Sequence, residues 1–228
     1  MDRSEFETKF TEYREFLRVE IYRFRDCVAV YRHLQERRAT HHKALNIAPA
    51  FFSVVERALW TSIILWVDKL FDQKGQRGLF DFLAFIEQHR EWMAISELQR
   101  RNNYPDGHWM VEDRVPITLQ SIQEDKQKIL SLPALKAFQT HRDKFHGHFD
   151  RSYSFDRQRL DLEAPITWSD LEDAGNVMGS ILNNYASDFD GNTYSWNTLG
   201  IDDVNLLLNN AIVGYSAGHR GAPYLGDH

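Results

Sequence analysis

The first forty residues contain neither glycine nor proline, and their apolar side chains recur at steps of three and four. Phe6, Phe10, Tyr13, Leu17, Ile21, Phe24, Val28 and Tyr31 fall on one stripe, with Arg14, Arg18, Arg25 and Arg32 opposite. That spacing predicts a helix of about eight turns with one face turned inward. Ser4 and Glu7 read as a capping box for its first turn.

Helical patterning continues through most of the chain. A second helix is expected to start at Pro49, a favourable first-turn position for proline. It runs through Phe52, Val55, Leu59, Ser62, Trp66 and Leu70 to Phe71-Asp72. Between residues 58 and 67 it is apolar nearly all round, the pattern of a central bundle helix. After the turn at 73–78, a third helix is expected over 79–101, with Leu79, Phe82, Leu83 and Ile86 inward. Dense turn chemistry at 102–107 precedes helices at about 117–130 and 134–146, split by Pro133. Residues 151–167 alternate (Tyr153/Phe155, Leu160/Leu162) and suggest a hairpin or extended strap. Ser169-Asp170-Leu171-Glu172 reads as a second capping box, opening a helix with Leu171, Ala174, Met178, Ile181 and Tyr185 inward until Gly191-Asn192. A short helix near 202–213 follows. The expected fold is therefore all-α: an antiparallel helical bundle over residues 1–190, with a small extended or hairpin segment, then a peripheral C-terminal helix and tail over 191–228.

Composition narrows the function classes. A single cysteine, Cys27, makes neither an internal disulfide nor a cysteine-only zinc site. The net charge of −6 excludes a globally basic nucleic-acid binder. A local basic face survives that test: residues 14–43 hold 8 basic and 4 acidic side chains. The last lysine is Lys144, and residues 149–228 carry 12 acids against 4 arginines. The start Met1-Asp2-Arg3-Ser4-Glu5 is charged rather than signal-like, so the cytoplasm is the expected compartment. In the apolar stretch 48–67, Glu56 and Arg57 sit at the middle, where each costs roughly 2–3 kcal/mol in a bilayer, so no membrane partner is expected.

Polar reactivity concentrates in His141-Arg142-Asp143-Lys144-Phe145-His146-Gly147-His148-Phe149-Asp150. Leu132, Leu135, Phe138, Phe145 and Phe149 form an apolar stripe, and Arg142 falls on it. An inward arginine needs an anion beside it, and Asp68 and Asp72 on the second helix are the natural partners. A structural salt bridge and an anion-binding role both fit. His146-Gly147-His148-Phe149-Asp150 also spells H-x-H-x-D, a metal-ligand opening. The further histidine of that motif is replaced by Arg151, and only His219 and His228 remain downstream. No metal or cofactor is therefore expected. Gly75 to Gly78 lacks the Lys-Ser/Thr of a phosphate loop. Trp60, Trp66 and Trp92 read as core, and Cys27 as inert packing.

The string Arg142 to Asp150, RDKFHGHFD, resembles the HEPN superfamily (higher eukaryotes and prokaryotes nucleotide-binding), marked by an arginine, a polar residue and a histidine four to six residues on. Arg142, Asp143 and His148 match those positions, most closely in the abortive-infection branch, with Gly147 where a small alanine is usual. Trp66-Val67-Asp68-Lys69-Leu70-Phe71-Asp72 is similar to a helix ending in Leu-Phe-Asp in that branch. The resemblance implies a helical bundle that often homodimerises and a metal-free endoribonuclease or toxin, with an RNA substrate and an antitoxin protein as possible partners. It implies Arg142 and His148 as catalytic, with Asp143 and the extra imidazole of His146 in support. Helical geometry alone favours His146, because His148 points about 120° away from Arg142 unless Gly147 ends the helix. His141, Lys144, Arg37 and Arg38 are the expected RNA contacts. A non-catalytic module of the same fold, binding RNA, a nucleotide or a protein, is the alternative.

Overall fold

The structure is a computed structural model that describes residues 1–146, 157–198 and 201–216. Among the described residues every regular element is helical. Helix α1 spans Arg3–Arg37, the short α2 His42–Leu45, and α3 Pro49–Phe71. Then come α4 (Leu79–Gln88), a 3₁₀ turn (Arg90–Met93), α5 (Ile95–Asn102), α6 (Trp109–Glu112) and α7 (Leu119–Leu130). Helix α8 (Leu135–His141) runs into a π-turn, Arg142–His146, and α9 (Arg157–Glu163), α10 (Trp168–Asp190) and α11 (Ile201–Ser216) complete the order.

Packing groups the chain into two units, Met1–Arg25 with Ile63–Trp196, and Asp26–Ser62 with Asn197–His228. The second unit thus takes in α11, which the sequence reading set apart as peripheral. The core of the first unit follows the predicted stripes. Phe6, Phe10, Leu17, Ile21 and Phe24 of α1 are buried, with Ile63, Ile64, Val67, Leu70 and Phe71 of α3. Helix α4 adds Leu79, Phe82, Leu83 and Ile86, and α10 adds Leu171, Ala174, Met178, Ile181 and Tyr185. Phe10 stacks on Phe189 at 4.0 Å between ring centroids, and Phe6 on Phe85 at 5.2 Å. Gly78 lets α4 begin hard against α3, since a Cβ there would stand 2.9 Å from the Lys69 carbonyl. Gly191, at φ +82°, ends α10 in the left-handed conformation that glycine adopts freely.

In the second unit, Leu34, Ala44 and Leu208 are buried. His33 donates to Asn205 Oδ1 at 2.8 Å and His41 to Asn209 Oδ1 at 3.2 Å, which fixes α11. Phe51 and Val54, at the start of α3, are exposed. Within residues 58–67, expected as a central bundle helix, Ile63, Ile64 and Val67 are buried, whereas Ala58 is exposed and Leu59 to Ser62 are half-buried. Helix α3 is also long and apolar enough to cross a membrane by length and composition.

Local signals misplaced several boundaries. Asp2 rather than Ser4 meets the first turn of α1, its carboxylate accepting the Glu5 amide at 2.9 Å, while the Ser4 carbonyl accepts the Thr8 hydroxyl. Thr167 rather than Ser169 caps α10, exchanging hydrogen bonds with Asp170. The single helix expected over 79–101 breaks at His89 and again at Ala94, whose backbone is extended. There the His89 ring packs on Phe6 and Phe85. The expected hairpin is replaced over its described part by α9, held by an Arg159–Glu163 pair one turn apart at 2.6 Å; its beginning lies outside the described residues.

Arg101 answers the break between α4 and α5. Its guanidinium, on a side chain only 8% exposed, donates to Glu7 at 3.0 Å, to the Phe189 carbonyl at 3.1 Å, and to the Trp92 carbonyl. Replacing it with leucine leaves those acceptors without that donor. Arg101→Leu is expected to lower the unfolding free energy by about 3 kcal/mol, read from urea midpoints. Arg23→Ala breaks an exposed pair with Glu20 and is expected to shift it by less than about 0.5 kcal/mol. Equal shifts would remove Arg101 from this role.

Candidate functional site

The C-terminal end of α3 and the end of α8 face each other across a cleft of about 260 Å³. Val67, Phe71, Leu135 and Phe138 supply its apolar wall, and Phe71 and Phe138 are buried. Asp68 and Asp72, one turn apart on α3, line one side. Gln73 and Lys74 extend that side into the following loop. Gln139 and Arg142 line the other, at the three-residue step that keeps them on one face. Arg142 sits where α8 passes into the π-turn. Arg142 of one sequence string and Asp68 and Asp72 of the other, some seventy residues apart, thus meet in one cleft.

Arg142 is tied twice. Its Nη1 pairs with Asp68 Oδ1, and its Nε donates to Asp143 Oδ1 at 2.7 Å. The inward arginine of the sequence has therefore found the expected carboxylate. It lines a partly open cleft, however, rather than the interior, because the side chain remains 32% exposed. Burial is the largest influence on Asp68 and pushes its carboxyl above the ordinary carboxylate range. Asp72 and Asp143 push the same way, and Arg142 opposes them. The hydrogen bond to Asp143 leads the influences that raise Arg142. The two partners shift in a way that a simple mutual ion pair does not: both rise. Burial leads the rise of Asp68, with Asp72 and Asp143 adding to it, while the hydrogen bond to Asp143 and the neighbouring carboxylates favour the Arg142 cation.

The other predicted residues divide. His141 is buried, and its Nε2 donates to the Ala164 carbonyl at 2.8 Å. Burial pulls its pKa below the usual histidine value. That corrects its assignment as an RNA contact, because the ring points into the core and is held there. Asp143 is exposed and Lys144 partly so, both on the π-turn beside Arg142. His146 ends that turn. His148 and Asp150 lie outside the described residues. Arg37 and Arg38 belong to the second unit, where Arg38 grips Glu56 and Arg37 Nε lies 3.4 Å from His33 Nε2. Among the described residues no cluster of three metal-ligating side chains forms. Trp66 donates to Glu20 Oε2 at 2.7 Å, and burial raises the Cys27 thiol. Sequence reasoning missed Gln139 and Lys74; the three-residue step from Gln139 to Arg142 and the loop directly after Leu-Phe-Asp were the available signals.

A family model described as HEPN AbiU2 matches residues 7–207. The matched span includes both sides of the cleft and reaches into α11. Neither a curated relative nor a solved structure matches the chain.

The raised Asp68 carboxyl has a direct consequence for stability. Between the ordinary carboxylate pKa and the raised one, the folded chain holds a proton that the unfolded chain has released. The contribution is full below the ordinary value and is lost as pH rises through the folded one. Asp68→Asn, which cannot titrate, is expected to flatten that part of the profile. Urea midpoints of wild type and variant across pH 4 to 7 measure it, and parallel profiles would contradict the shift.

Proposed function

The chain belongs to the AbiU2 family, a HEPN-type abortive-infection family, and on that premise we propose that it is a metal-independent endoribonuclease of a phage-defence or toxin–antitoxin system. The observation that carries the reading is Arg142 at the cleft edge, held by Asp68, five intervening residues before His148. In the proposed reaction a histidine removes the 2′-hydroxyl proton of RNA. The 2′-oxygen attacks the adjacent phosphorus as the bond to the 5′-oxygen breaks, and a second imidazole protonates the leaving oxygen. Arg142 meets the charge on the phosphorane with paired N–H donors. His148 is assigned first and His146 second. A homodimer would supply the acid and the base from symmetric copies, with Lys144, Arg37 and Arg38 as RNA contacts. The cytoplasm is the proposed site of action, and an antitoxin protein the proposed restraint. The second reading, a non-catalytic binding module, draws on the same geometry: an arginine already paired with Asp68 and Asp143 also serves as a structural link.

Incubating the purified chain with a mixed RNA pool, with and without EDTA, separates the readings. Wild type is expected to cleave RNA and spare DNA, which lacks the 2′-hydroxyl. His148→Ala is expected to lose ~10²–10⁴-fold in rate. Arg142→Lys keeps the charge without the planar fork, so it is expected to fold and remain slow. Equal cleavage by all three would reject the site, loss only on chelation would point to a metal, and no cleavage by wild type would favour the binding module.

A further inference from the structure

Arg142 offers a phosphate two bidentate edges, Nε with Nη2 and Nη1 with Nη2. Each edge is half occupied. Asp143 takes Nε at 2.7 Å and Asp68 takes Nη1, whereas Nη2 meets no acceptor among the described residues. A phosphate that takes a full edge competes with the carboxylate on it, Asp143 at the Nε–Nη2 edge and Asp68 at the Nη1–Nη2 edge. The two are not equally displaceable. Asp68 stands on the well-packed end of α3, and its side chain is 17% exposed. Asp143 stands on the π-turn, and its side chain is 54% exposed, where water screens the pair and little energy holds it.

We infer that Asp68 and Asp143 divide the hold on Arg142: Asp68 is a positioning residue that fixes the guanidinium on the cleft wall, and Asp143 is a removable cover over the edge that receives an RNA phosphate. On arrival of the phosphate, Asp143 swings into solvent, the phosphate oxygens take Nε and Nη2, and Asp68 keeps Nη1. The cover also sets a selectivity. An anion held at Arg142 alone does not outcompete Asp143, whereas a phosphodiester held along its chain by further contacts does. This deepens the nuclease reading and rests on it only for the identity of the anion.

Pyrophosphate serves as the probe, read as its effect on thermal unfolding of the full chain. Asp143→Asn is expected to reach half its maximal stabilisation at about two- to fivefold lower pyrophosphate than wild type, the range set by a solvent-exposed pair. Asp68→Asn is expected to bind no tighter than wild type, because the guanidinium loses its anchor; its circular dichroism spectrum checks that it folds. In the Arg142→Lys background, which lacks the fork, Asp143→Asn is expected to bring no gain. An unchanged or weaker affinity in Asp143→Asn would overturn the inference. So would a gain that persists with Arg142→Lys, since it would reflect only the lost negative charge. RNA cleavage by the same preparations keeps the two readings apart: a pyrophosphate gain without cleavage rejects the nuclease and keeps the cover, and cleavage without the gain does the reverse.

Discussion

Three arginines from three separate stretches of chain close on the last turn of α10. Arg114 donates to Asp188 at 2.6 Å, Arg101 donates to the Phe189 carbonyl, and Arg14 pairs with Asp190. The Phe189 ring between them stacks on Phe10, with the Arg101 guanidinium 4.2 Å from its centroid. A helix C-terminus carries a partial negative charge and unsatisfied carbonyls, so cations gathered there answer both. This convergence ties α1, α5 and the segment after α6 to α10 inside the first unit. Arg101 contributes most directly, because the carbonyl it satisfies at Trp92 is one that the interrupted α4–α5 connection leaves without a helical partner.

The cleft depends on that frame in a definite way. Its floor is the same Phe71 and Phe138 surface that belongs to the core, so the position of Asp68 is fixed by packing rather than by the charge it carries. Arg142 is less constrained: it projects from a π-turn, a departure from regular helix that often marks functional sites. One partner is thus set by the core and the other by a local irregularity. Between them the guanidinium is oriented but not saturated, which is what an anion-receiving arginine requires. A fully buried pair would hold the arginine more firmly and deny it to a ligand.

Residues whose neighbours in sequence are also their neighbours in space were read correctly. The buried positions Phe6, Phe10, Leu17, Ile21 and Phe24 of α1 (Tyr13, Val28 and Tyr31 of the same stripe are half-buried), the start of α3 at Pro49, its end at Phe71 and the inward face of α10 depend on periods of three and four and on proline and glycine chemistry, all local. The Asp68–Arg142 pair was also legible, for a less local reason: an arginine on an apolar stripe requires a carboxylate, and few lay on an apolar helix. A HEPN fold of the abortive-infection branch was likewise readable from the Arg-polar-His string and the Leu-Phe-Asp helix end, and the family match to AbiU2 agrees with it.

Tertiary structure decided what competing local signals left equal. Ser4 and Ser169 satisfy the capping pattern as well as Asp2 and Thr167 do, and only the settled path of the chain selects between them. The alternation around Leu160 and Leu162 suits a strand, yet α9 forms there, with Leu160 buried and Leu162 exposed. His141 and Arg142 are adjacent polar residues with similar prospects by composition. A step of about 100° around α8 sends one to the Ala164 carbonyl in the core and the other to the cleft. Sequence therefore determined the all-helical class, the long helices at either end of the bundle and that Arg142 needs an acid. Which side chain reaches solvent was decided by contacts between segments far apart in the chain, whose distances no local pattern encodes.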